Sequence, residues 1–192
     1  GNASFPVTTV ENWDVSNVTV FRGLFQSGKP GNIDLSGWQM TAANDIGAMF
    51  NNSDFNGTLF DLSQPNQVTS IAGIFARTSY DHPAISTWDV SKVTNFSSAF
   101  ENNTAFNRDL SNWDVSQGTS FKKTFTGARA FDQDLSAWDV SNGKTFETMF
   151  SGATSFTGPI FTTVGPNATT IAGMFGNASA FNGDLSSWDV SN

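Results

Sequence analysis

Phe25, Phe50, Phe75, Phe100, Phe125, Phe150 and Phe175 recur every 25 residues, with no insertion or deletion between them. A fixed period of this length restricts the chain to architectures in which one small unit is copied and stacked. A single unit cannot bury its own apolar face, so its neighbour must complete the core. Other columns hold the same register. Trp13, Trp38, Trp88, Trp113, Trp138 and Trp188 are all the tryptophans of the chain; they share one column of the same period, twelve residues before the phenylalanine column, with Ser63 and Thr163 in the two gaps and position 188 the last of the column in the 192 residues. Three residues earlier runs Val10, Leu35, Phe60, Ile85, Leu110, Leu135, Ile160 and Leu185, and a further column is Phe21, Ile46, Ile71, Phe96, Phe121, Phe146 and Ile171. The expected core is a ladder of equivalent side chains, and residues 1–192 form a single repeat domain read as part of a longer array.

Within one period, Leu110-Ser-Asn-Trp113-Asp-Val115-Ser is short and ends in a polar corner, which suits a strand flanked by turns. Leu110 and Trp113 differ in parity, so a bend or bulge is expected between them. Phe146, Met149 and Phe150 are spaced i, i+3, i+4, the period of one helical face, and the preceding Asp-Val-Ser-Asn offers side chains able to cap a helix start. The sequence therefore predicts an α/β solenoid of leucine-rich-repeat type, with about 25 residues, one short strand and one short helix in each of nearly eight coils. Two coils depart from the pattern, at Phe60-Asp-Leu-Ser63 and Ile160-Phe-Thr-Thr163. The second aromatic also shifts, from Phe5, Phe55 and Tyr80 at one column to Phe106, Phe131, Phe156 and Phe181 one place later, so the N-terminal coils are expected to bend their corner differently.

Composition narrows the function. Nineteen Phe and six Trp must be buried or bound, which argues against disorder despite the abundance of Asn, Ser, Thr and Gly. Nine basic against 17 acidic residues give a net charge of -8, which repels phosphate backbones and anionic headgroups, so no nucleic-acid partner is expected. There is no cysteine, hence no disulfide framework. No apolar run is long enough to insert into a bilayer, and Gly1 to Val10 lacks the features of a signal peptide. A targeting signal or anchor is expected outside these residues.

The string Ala130-Phe-Asp-Gln-Asp-Leu-Ser-Ala-Trp-Asp-Val-Ser-Asn142, continued by Met149-Phe150-Ser-Gly-Ala, resembles the BspA-like leucine-rich-repeat surface proteins, whose repeat reads approximately FNxDLSxWDVSNVTxMxxMFxxA. The coils at Ser63 and Thr163 depart from it. The resemblance implies an extracellular or cell-surface protein of bacteria, protists or algae, with adhesion or matrix binding as its role. No binding residue is carried over from it.

The acidic columns are the first place to look for chemistry. Asp14, Asp89, Asp114, Asp139 and Asp189 form one, and Asp34, Asp109, Asp134 and Asp184 another. Stacked carboxylates repel unless something lies between them, and calcium bound at Asp89, Asp114 and Asp139 would serve. The plainer reading is that each Asp accepts backbone amides at a turn. His82 stands alone, without a catalytic partner set, and Pro83 after it favours a surface turn. Neither a catalytic residue nor an organic cofactor is indicated, and the chain reads as non-enzymatic. Sequons begin at Asn2, Asn17, Asn51, Asn56, Asn95, Asn102, Asn167 and Asn177. They are either N-glycan sites of a eukaryotic secretory protein or an accident of one ancestral coil copied forward. A partial threonine column, Thr19, Thr69, Thr94, Thr119 and Thr169, invites an ice-binding reading that Asn44 and Lys144 interrupt. The leading expectation is a surface module binding proteins or glycans of a cell surface or matrix. The alternative is a structural subunit of an extracellular fibre or coat, self-associating end to end.

Overall fold

A computed structural model describes residues 10–64 and 66–188. One column of residues is joined from coil to coil by isolated parallel bridges, Val20 with Asp45, then Ser70, Asn95, Ser120, Thr145 and Thr170 in succession, and Asp34 bridges Thr58 at a second column. Among the described residues no bridge extends into a strand, because the chain turns on both sides of it. Upstream, Gly118 N–H closes a turn on the Val115 carbonyl at 2.7 Å, and downstream Thr124 N–H closes one on Phe121 at 3.2 Å.

The half of each coil expected to be helical is a run of turns with an alternating bonding pattern. The amides of Phe21, Gly23, Phe25 and Ser27 donate to the carbonyls of Asp45, Gly47, Met49 and Asn51 in the next coil, at 2.8–2.9 Å. Between them, Leu24, Gln26 and Gly28 donate three residues back, to Phe21, Gly23 and Phe25. Every second amide thus holds the coil's own bend, and the others tie it to its neighbour. The turns require left-handed backbone at two columns. Glycine supplies it at Gly23, Gly73 and Gly173, whereas Ala48, Ser98, Lys123 and Thr148 adopt φ of 52–60° in the same column.

The predicted α/β solenoid of leucine-rich-repeat type, with a strand and a helix per coil, is therefore not what forms. The i, i+3, i+4 spacing of Phe146, Met149 and Phe150 is that of successive three-residue turns, and Leu110 and Trp113 are likewise joined by a turn, with Trp113 N–H on the Leu110 carbonyl at 3.1 Å. The physical reason lies in the ladder. Packed helices keep their axes about 8–10 Å apart, but the Phe25, Phe50, Phe75, Phe100, Phe125, Phe150 and Phe175 rings succeed one another at 5.5–6.1 Å. Phe96, Phe121 and Phe146 repeat at 5.2 and 5.3 Å. Coils this thin leave no room for a helix in each.

These rings are the core. Phe50, Phe75, Phe100, Phe125 and Phe150 are fully buried. Each interior ring also meets the second aromatic of its own coil, as Phe100 meets Phe106 at 3.9 Å and Phe125 meets Phe131 at 4.0 Å. Trp113 stacks on Trp138 at 6.5 Å and 6°. Their indole N–H groups donate to carbonyls of the preceding coil, Trp113 to Ile85 at 3.0 Å and Trp138 to Leu110 at 2.9 Å. Burying an indole needs such a partner. Where the column loses its Trp, a phenylalanine fills the slot: Phe60 stacks on Trp88 at 5.9 Å and Phe161 on Trp188 at 5.5 Å. The repair is incomplete at the first site, because Trp88 Nε1 is buried without a hydrogen-bond partner.

Candidate functional site

The residue three places after each ladder phenylalanine decides the shape of the corner. Ser53 and Thr78 turn their hydroxyls back on the Phe50 and Phe75 carbonyls, each at 2.8 Å, and accept the amides of Phe55 and Tyr80 at 3.4 and 3.3 Å. The next aromatic then follows after two residues. Alanine has no hydroxyl to do this, so at Ala128 and Ala153 the backbone itself closes the turn, Phe131 N–H on Ala128 and Phe156 N–H on Ala153, both at 3.1 Å, and the aromatic comes one residue later. Asn103 joins the two designs. It is fully buried; its Nδ2 donates to Thr78 Oγ1 at 3.2 Å and to the Tyr80 carbonyl at 2.8 Å, while Oδ1 accepts the amides of Ala105 and Phe106. Beyond it the side-chain ladder resumes one residue out of step, with Asn107 N–H on Asp81 Oδ1 at 3.1 Å and the Arg108 guanidinium forked on the same carboxylate.

At this change of register the surface opens into a groove of about 660 Å³. Its polar walls are Asp54, Asn56, Arg77, Ser79, Asn102 and Thr104. Asp54 accepts the Gly31 amide at 2.9 Å. The side chains of the other five take no partner among the described residues. The sequence singles out Asn56 and Asn102 only as sequon asparagines and passes over Asp54, Arg77, Ser79 and Thr104, although the displacement of the aromatic from Tyr80 to Phe106 marks the place.

The sites suggested by the sequence fall elsewhere. Asp89, Asp114 and Asp139 each accept the amide of the residue two places on, at 3.1, 3.0 and 2.9 Å, and Asp34, Asp109, Asp134 and Asp184 do the same at 2.8–2.9 Å. At Asp34, Asp109, Asp134, Asp139 and Asp184 these bonds favour the charged form. The amide and hydroxyl of Ser111 hold the Asp109 carboxyl below its ordinary value, and the hydroxyl and amide of Ser136 do so for Asp134. Among the described residues, no three acidic or histidine side chains converge on a point where a cation could sit. His82 caps the 3-10 helix Pro83–Thr87, its Nδ1 accepting the Ala84 amide at 3.2 Å, and stacks on Tyr80. Burial lifts the Tyr80 hydroxyl above its usual range, and that hydroxyl donates to the Gly57 carbonyl.

Of the sequon asparagines, Asn17, Asn56, Asn102, Asn167 and Asn177 are exposed, Asn51 and Asn95 are half-buried, and Asn2 lies outside the described residues, as does Asp189. Asn95 is further engaged by the Ser97 amide of its own sequon at 3.0 Å. The threonine column does not offer a free hydroxyl array. Thr69, Thr94, Thr119 and Thr169 each donate to a carbonyl of the coil before, at 2.9–3.3 Å. Among the described residues, Trp13, Val18, Val20 and Ile171 are the large apolar side chains left exposed.

No curated protein and no solved structure matches the chain. A family model described as a Mycoplasma protein of unknown function, DUF285, matches residues 1–83 and 69–188. These two matches run through nearly every coil, so the chain belongs to the DUF285 family.

Proposed function

We propose that this chain is a non-enzymatic interaction module of a cell-surface or secreted protein, holding protein or glycan partners through its polar periphery. The observation that carries the reading is the contrast between interior and surface. A continuous aromatic ladder fixes the coils at 5.2–6.1 Å intervals, and the outward positions are Asn, Asp, Ser and Thr repeated at that spacing. A rigid backing of this kind presents many weak polar contacts without ordering cost at each one. The resemblance of the repeat to BspA-like surface proteins supports the location. The test is binding of the purified folded chain to glycan, matrix-protein and cell arrays, with the urea-unfolded chain as control. Binding by neither form defeats the proposal, as does equal binding by both.

A second reading is favoured by the ends. Trp13 is 46% exposed, although Trp38, Trp88, Trp113 and Trp138 of the same column are buried. Apolar side chains left uncovered in this way suit end-to-end association into a fibre or coat. Light scattering on the full-length protein separates the two readings, since a strictly monomeric protein excludes the fibre.

A further inference from the structure

The groove at the change of register carries a more specific conclusion. We infer that it is a binding subsite for a neutral saccharide, an inference that rests on the interaction-module reading above. Its position is unique in the described chain, because the short corners at Ser53 and Thr78 meet the long ones at Ala128 and Ala153 once, at Asn103. Its volume of about 660 Å³ lies within the range of small-molecule sites.

The wall chemistry selects the ligand. Asp54 can only accept, Arg77 can only donate, and Asn56, Asn102, Ser79 and Thr104 do both. An anion would face Asp54 and a cation Arg77, whereas a sugar hydroxyl donates to one and accepts from the other. A peptide docking through its backbone finds no continuous edge, because the amides of Asn56, Arg77 and Asn102 are already bonded to Gly31, Glu101 and Thr126, at 2.8, 2.7 and 2.6 Å. Recognition therefore falls to side chains, whose donors and acceptors are matched to hydroxyls. Phe55 is buried beneath the groove rather than displayed in it, so polar contacts, not ring stacking, set the affinity.

The experiment uses the whole chain from a host that adds no glycans, since Asn56 and Asn102 begin sequons. Neutral trisaccharides of glucose, mannose and N-acetylglucosamine are titrated against ¹⁵N-labelled protein, alongside trigalacturonate and a Glu-Gly-Lys peptide. The expected result is saturable shifts of amides within 54–56, 77–79 and 102–104 with at least one neutral trisaccharide. Arg77→Ala and Asn102→Ala, both at exposed positions, should each weaken that binding about tenfold with unchanged urea midpoints. Silence of these amides with all three neutral sugars overturns the inference, as does a response only to the charged sugar or the peptide. Should arrays show binding that Arg77→Ala leaves intact, the groove assignment fails while the interaction reading stands; if the arrays are blank as well, both fail.

Discussion

Replacing Thr148 by glycine should stabilise the protein, and the sign of the effect separates stacked turns from helices. Thr148 sits at φ 52°, in the column where Gly23, Gly73 and Gly173 stand in other coils. Holding a residue with a Cβ in this region costs about 1–2 kcal/mol. Its Oγ1 is also buried without a partner, an unmet hydrogen bond that costs at least ~1 kcal/mol. Against these, glycine loses about 0.5–1 kcal/mol in chain entropy on folding, and the departing methyl gives up about 0.8 kcal/mol of burial. The balance is a gain of about 1 kcal/mol, or about 2–4 °C in Tm for a chain of this size. Were residue 148 in a helix, the same change would lower stability by a few tenths of a kcal/mol, roughly the propensity difference between threonine and glycine. Urea unfolding at equilibrium reads the difference directly, with Ser98→Gly and Lys123→Gly, at φ 56° and 60°, as companions expected to shift the same way by less. A lower urea midpoint for Thr148→Gly would refute the turn assignment and the reasoning that excludes helices from the coils.

Other outcomes follow from the same bonding. Trp138→Phe removes one of two bonds to the Leu110 carbonyl, which keeps the Trp113 amide, whereas Trp88→Phe removes an indole N–H that has no partner, so the first should cost about 1 kcal/mol more than the second in urea titration. Asn103→Ala breaks two bonds to the preceding corner and two within its own and should destabilise by about 2–4 kcal/mol. The carboxyls of Asp109 and Asp134 are lowered from an ordinary 3.8; their contribution is present above that value and disappears as pH falls through the lowered folded values. An Asp109→Asn, Asp134→Asn double variant keeps the acceptors and should flatten the acid limb of stability against pH. Because Asp89, Asp114 and Asp139 already accept amides, a chelator should leave the melting temperature unchanged, and a fall would establish a calcium site.

What the sequence disclosed was the column, and what it concealed was the backbone between columns. Identical spacing at Phe75, Phe100 and Phe125 requires vertical neighbours, and the rings are stacked at 6.1 and 5.6 Å. The i, i+3, i+4 pattern of Phe146, Met149 and Phe150 could not separate a helix from consecutive turns, since both place those residues on one side. The deciding datum is coil thickness, a property of the stacked neighbours and not of any one window of residues. Left-handed conformations at Lys123 and Thr148 were hidden for a related reason: neither residue type signals them, and only the glycines of the same column do. The groove was half legible. Tyr80 and Phe106 betray the change of step, but which polar side chains stay unbonded around it depends on the full hydrogen-bond network.

The unsatisfied indole at Trp88 bears on how such a column would respond to pulling. Amide-to-carbonyl links between coils are arranged in layers, and a force applied along the stack passes through every layer in turn. The weakest layer then sets the rupture force of the whole column, however strong the rest. With a serine at position 63, a phenylalanine substituting for its missing ring and a donor left without an acceptor, that layer is placed about a third of the way along the chain. A protein tethering one surface to another would yield there first, lengthening before it lets go.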